Sequence, residues 1–145
     1  MSARRKGFPE RRSSNGFPLN SRLDQIRRTE TLLGVAFPSG FVERMLVSNG
    51  GDVAIGEEVW SVCEVDEIAR ETEGARRWPN FPPAGVAVAS NGRGDQLVLL
   101  PEPIQRQVLQ EAVFMWSHEN GDLDKVTDNF AELGNNPHGV ANPSR

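Results

Sequence analysis

Cysteine is nearly absent: Cys63 stands alone in 145 residues, and one thiol cannot close a disulfide within the chain. Residues 1–30 are basic and polar and contain no apolar run of about seven residues or more, so they do not read as a secretory signal. No run of about eighteen apolar residues occurs anywhere, and no segment is expected to cross a membrane. Together these absences point to a cytoplasmic address. Histidine is scarce as well, with only His118 and His138. A hydrolytic dyad or triad needs a base beside its nucleophile. Cys63 lies in an apolar strand pattern, where cysteine packs rather than attacks, and His138 lies in a polar tail. His118 adjoins Glu119 in "WSHENGD", yet one imidazole with loop carboxylates falls short of the three or four ligands of a zinc site. It reads as a strand end entering the Asn120-Gly121 turn. No metal, no cofactor and no catalytic residue is expected, and the chain is not expected to be an enzyme.

A phosphate loop is missing too. The stretch "VAVASNGRGDQLVLLP" offers Gly92 and Gly94, but a phosphate loop follows its glycines with lysine, Ser/Thr and a helix N-terminus. Here they are followed by Asp95 and a β-type run, and a carboxylate would repel phosphate. The same stretch contains Arg93-Gly94-Asp95, a tripeptide known as an adhesion ligand. Apolar runs on both sides, Val86 to Ala89 and Leu97 to Leu100, frame residues suited to positive φ, which makes it a hairpin turn.

The charge is present but unevenly placed. Residues 1–28 carry eight Lys/Arg against Glu10 and Asp24, a balance of +6, while residues 29–145 hold eight basic and eighteen acidic side chains, or −10. An acidic body disfavours nucleic acid, which needs clustered Lys/Arg, except weakly through the basic leader. It suits a basic protein partner, whose complementary field raises the encounter rate. With three tryptophans and seven phenylalanines the chain has material for one core of ordinary size.

Residues 1–19, rich in Arg, Ser, Gly and Pro, read as a flexible basic leader, residues 20–134 as a single domain, and residues 135–145 as a loose tail. From an N-cap at Asn20 or Ser21, Leu23, Ile26 and Leu33 recur at helical spacing until Gly34. A second helix begins about Pro38 and presents Phe41, Val42, Met45 and Leu46 as one stripe, with Asn49-Gly50-Gly51 as left-handed C-cap and exit turn. The period then drops to two: Val53 and Ile55, then Val59, Trp60, Val62 and Val65, form short strands around Gly56-Glu57-Glu58. "EVDEIARETEG" reads as a helix with acids in its first turn, and a Pro-rich loop, Trp78 to Pro83, leads into the hairpin. Val113 to Trp116 and Leu123 to Val126 form further strands, and Thr127 caps a closing helix, "DNFAEL", with Phe130 and Leu133 inward. Trp60 and Trp116 are expected to share one core with Phe41, Leu46, Val88, Leu99 and Phe130, and Trp78 to be exposed. The fold class is α+β: N-terminal helices packed on a mostly antiparallel sheet of about five or six strands, with an inserted short helix and a C-terminal helix.

The order of these features resembles the SUKH superfamily, specifically its Smi/Knr branch. The resemblance rests on "LLGVAFPSGFVERMLVSNGG", "VWSV", "EVDEIARET", "NGRGDQLVLLP", "VFMWSHENGD" and "NFAEL", and covers roughly residues 20 to 134. Phe37 stands where the family usually has Leu and keeps an apolar residue before Pro38. The resemblance implies a non-catalytic, protein-binding role: bacterial members are often immunity proteins that block a toxin, commonly a nuclease or deaminase, while fungal relatives regulate cell-wall assembly. It transfers no binding residue. The expected partner is a cognate, basic protein toxin whose active site is occluded, with a regulatory or scaffold domain binding an endogenous cytosolic protein as the alternative. The expected carriers are acids at turns and helix starts, Asp52, Glu57, Glu58, Glu64, Asp66, Glu67 and Glu71. Pro38, Phe41, Asn49, Gly50, Gly51, Trp60, Gly92, Gly94, Trp116 and Phe130 are expected to build the fold.

Overall fold

The structure, a computed structural model, describes residues 18–134. His138, the tail and most of the basic leader lie outside the described residues. Helix α1 runs Pro18–Leu33, α2 Ser39–Val47 and α3 Val65–Ala75; strands are β1 Gly51–Ile55, β2 Glu58–Val62, β3 Val86–Ser90, β4 Gln96–Pro101, β5 Leu109–Trp116 and β6 Leu123–Thr127. The six strands form one sheet in chain order, antiparallel throughout. This is the α+β arrangement that the periodicities predict.

Local chemistry moves several boundaries. The expected caps Asn20 and Ser21 lie inside helix α1, which already includes Pro18, the first described residue. Pro38 is the N-cap of α2, with ψ 156°. The C-cap of α2 is not the left-handed Asn49: Ser48 holds it in extended backbone, and the reversal comes after it, at Gly50 (φ 90°) and Gly51 (φ 91°). Val65, expected on a strand, opens α3, because Glu64 and Glu67 close a capping box around the first turn. The closing helix is only a 3-10 turn, Phe130–Glu132, capped by Asn129 and not by Thr127, which ends β6. The few residues between β6 and Gly134 are too short for a stable α-helix. Phe130 is nevertheless buried, as its inward assignment requires.

Strand register separates two cores. Val62, Ala89, Leu97 and Met115 stand in one row across β2 to β5, and Ser61, Ser90, Gln96 and Trp116 in the next. Side chains alternate faces, so Trp116 points away from Trp60. Trp60 packs with Ile26 of α1, Phe41 and Met45 of α2, Val65 and Ile68 of α3, and with Val88, Leu99 and Phe130. Trp116 packs on the opposite face with Ala75, Phe81, Ala87 and Val98. The single shared core expected for both tryptophans is therefore two, although both indoles are buried, and Leu46 is only half-buried. A register shift between Ala87 and Ala89 lets Val88 and Ala89 both serve the helix-side core while Ala87 serves the other. Helices α1 and α2 and the first turns of α3 pack on the Trp60 side, whereas the end of α3, through Ala75, and Phe81 of the following loop pack on the Trp116 side.

Candidate protein-binding surface

The seven expected acids fall into two groups. Gly51 pairs with Val62, so the start of β1, the end of β2 and the start of α3 meet at one end of the hairpin. This end carries Glu64, Asp66 and Glu67 on the start of α3, with Glu71 one turn further along, and Asp52 on β1, on the strand face opposite the core residue Val53. Gly50 lies close against Glu64, since an added Cβ would meet the Glu64 Cγ at 3.1 Å, and the Asn49 Oδ1 accepts a hydrogen bond from the Val65 N–H at 2.8 Å. Asn49 thus serves α3 rather than α2. Glu57 and Glu58 lie at the far end of the hairpin, beyond a five-residue strand, roughly 17 Å away at about 3.3 Å per residue.

These carboxylates differ in what already holds them. The Glu67 carboxylate accepts from the Glu64 N–H at 3.3 Å in the capping box and lies 3.9 Å from Arg70. Asp66 accepts from the Gln25 amide at 3.2 Å. Glu58 accepts from the Asn91 amide at 3.2 Å and forms an ion pair with Arg93. Asp52 and Glu57 are exposed and Glu71 half-buried, and none of the three bonds another described side chain.

The Arg93-Gly94-Asp95 turn is tied down at both charged ends. Arg93 reaches across to Glu58. The Asp95 carboxylate accepts from the His118 backbone N–H at 3.1 Å, contacts the His118 Nδ1 at 2.8 Å, and accepts from the Asn91 amide at 3.1 Å. Partial burial works against its charged form, but these bonds outweigh it and hold the carboxyl below its ordinary value. Gly92 (φ 82°) and Gly94 (φ 108°) both occupy the left-handed region the hairpin reading calls for. Trp78, 49% exposed, sets its ring edge-on to both His118 and Trp116, with centroids at 6.0 and 6.3 Å.

Cys63 is buried, and burial pushes its thiol up to about 12, helped by the negative charges of Glu71 and Glu67. A thiol so protonated is a poor nucleophile. Among the described residues no group of three or more His, Cys, Asp or Glu is placed to hold a metal ion, and no helix is long and apolar enough to cross a membrane.

Three polar anchors have no counterpart in the sequence reading. Glu111 of β5 accepts from the Ser39 N–H (3.1 Å), the Ser39 hydroxyl (2.8 Å) and the Gly40 N–H (3.1 Å), capping α2 from a distant strand. The Thr72 hydroxyl accepts from the Ala87 N–H at 3.0 Å, tying α3 to β3. Arg44, buried, donates to the carbonyls of Ser48 and Gly50, and desolvation lowers its affinity for the proton. A residue 72 positions away leaves no local trace, so no pattern in the sequence singles out Glu111.

A six-stranded antiparallel sheet with three helices, its polar anchors spent on caps and turns, defines an α+β domain. The sequence matches the SMI1 / KNR4 family (SUKH-1) over residues 21–136, and the chain belongs to this family. No curated protein matches the sequence.

Proposed function

We propose that the chain is a non-catalytic, cytoplasmic protein-binding domain that neutralises a bacterial toxin of the nuclease or deaminase class by covering its active site. The observation that carries this reading is membership of the SMI1 / KNR4 family across most of the chain. The charge supports it: residues 29–145 carry −10, and a toxin that handles nucleic acid presents a basic cleft. The carboxylates at the start of α3 supply the surface. Asp52, Glu64 and Asp66 are exposed there on a rigid junction of strand, turn and helix. Carried on fixed backbone at one end of the β1–β2 hairpin, they offer a basic cleft several acceptors at little conformational cost.

The test is protection. Cells are made to express the toxin encoded immediately upstream of this gene, with and without the full chain. Survival only in the presence of the chain, with a complex of the two proteins recovered from those cells, is the expected result. Survival that is the same in both, or an upstream gene that encodes no toxin, overturns the proposal and returns the chain to the regulatory-domain alternative.

A further inference from the structure

The half-exposed Trp78 ring is held in place by three loops. It meets Trp116 and His118 in T-shaped contacts, and the His118 ring lies so close to Gly94 that an added Cβ there would meet it at 2.9 Å. The Trp116 Nε1 donates to the Asn80 carbonyl at 3.0 Å, and Asn80 packs against Gly121, whose added Cβ would meet the Asn80 Cβ at 2.7 Å. Leu123, 38% exposed, pairs with Trp116 across β5 and β6 and so stands on the same face of the sheet. Two exposed apolar side chains thus flank one buried indole. A rigid aromatic beside an aliphatic side chain is the kind of centre on which protein interfaces form.

The charges around this centre are divided by sign. The Arg76 Nε donates to the Gly85 carbonyl at 3.1 Å, and Gly85 precedes β3, five residues from the row that Ser90 shares with Gln96 and Trp116. That is roughly 16 Å at about 3.3 Å per residue. Arg76 and its exposed neighbour Arg77 therefore stand on one side of Trp78. Glu119 and Asp122, both exposed, belong to the loop that leaves β5 in the opposite direction. Arg93 and Asp95, in the turn between β3 and β4, are already held by Glu58 and His118. Two cations on one side face two anions on the other, and they sum to zero.

We propose that this face is an interface between two copies of the chain, related by a two-fold axis that passes beside Trp78. The balance of charge decides the occupant: a partner of one sign, basic or acidic, would match one side of Trp78 and meet its own sign on the other. A second copy turned by 180° matches both. Arg76 and Arg77 of each copy come to face Glu119 and Asp122 of the other, while Trp78 and Leu123 close on their own counterparts, as an isologous contact requires. The inference does not rest on the toxin reading.

The experiment measures the mass of the full chain by sedimentation equilibrium across a range of concentrations. A monomer–dimer equilibrium is expected, weakened roughly tenfold or more by Trp78→Ser and by Arg77→Glu. A second arm mixes two variants. Arg77→Glu alone sets acid against acid across the axis, and Glu119→Lys alone sets base against base. Mixed in equal amounts, they restore opposite charges at both ends, and the dimer is expected to return in the mixture. Recovery from two chains that are each monomeric alone cannot come from a folding defect. The proposal is overturned by a parent chain that stays monomeric throughout, which leaves the face to a different protein. It is equally overturned by a dimer that neither Trp78→Ser nor Arg77→Glu weakens, or by a mixture that stays monomeric.

Discussion

Glycine 94 shows how one residue settles a question that its neighbours raise. Its φ of 108° already excludes most side chains, and a Cβ there would meet the His118 ring at 2.9 Å; Gly92, at 82°, faces open space. Gly94→Val is therefore expected to cost more stability than Gly92→Val, both losing about 1–3 kcal/mol from backbone strain alone. Arg93→Ala removes an exposed ion pair and is expected to cost less than about 1 kcal/mol. Urea unfolding of the three variants checks the order, and Gly92→Val as the worst of them would contradict it. Cys63 supplies a pH dependence. Its thiol pKa is raised on folding from 9.0 to about 12. Its contribution is complete below about 9 and is lost as the pH rises toward about 12, because the unfolded thiol ionises first. The parent should lose more stability over that window than Cys63→Val does, and parallel curves for the two would rule the burial argument out.

Among the elements, those with strong local signals were legible. Three helices followed from apolar spacing and punctuation by Gly34, Pro38 and the glycines after Asn49, and the hairpin of β3 and β4 from two apolar runs around Asn91-Gly92. What was not legible depended on register. Nothing near Trp116 says that it faces the opposite side of the sheet from Trp60; that follows from which residues pair across β2 to β5 and from the bulge at Ala87–Ala89. The cap of α2 was hidden for the same reason, since its carboxylate comes from β5. A negative charge accepting from two first-turn amides stabilises a short helix through both hydrogen bonds and the dipole. Glu111→Gln keeps the shape and loses the charge, and should lower stability by about 1–2 kcal/mol, measured by thermal denaturation. An unchanged melting temperature would show that Pro38 alone sets the helix start. Trp116→Ala empties the smaller core, and a loss of about 3–5 kcal/mol is expected.

For the molecule as a whole, the fold was readable from order and spacing, whereas the structural duties of the individual acids were not. Sequence marks where acids cluster along the chain but not which of them the fold employs. Of the seven expected carriers, Glu58 is paired with Arg93, and Glu64 and Glu67 close the capping box of α3. Reversing those charges would disturb the turn or the helix along with any interface. Asp52, exposed on β1, and Asp66, exposed in the first turn of α3, take no part in the caps or the Arg93 turn, so they separate binding from folding. The most direct test of the central claim is the association rate of Asp52→Lys with Asp66→Lys for the upstream-encoded toxin, measured across a range of salt. The account predicts a melting temperature close to the parent's, slower association, and a weaker dependence on salt, because two steering charges have been inverted. A variant that folds, associates at the parent's rate and shows the parent's salt dependence would contradict it.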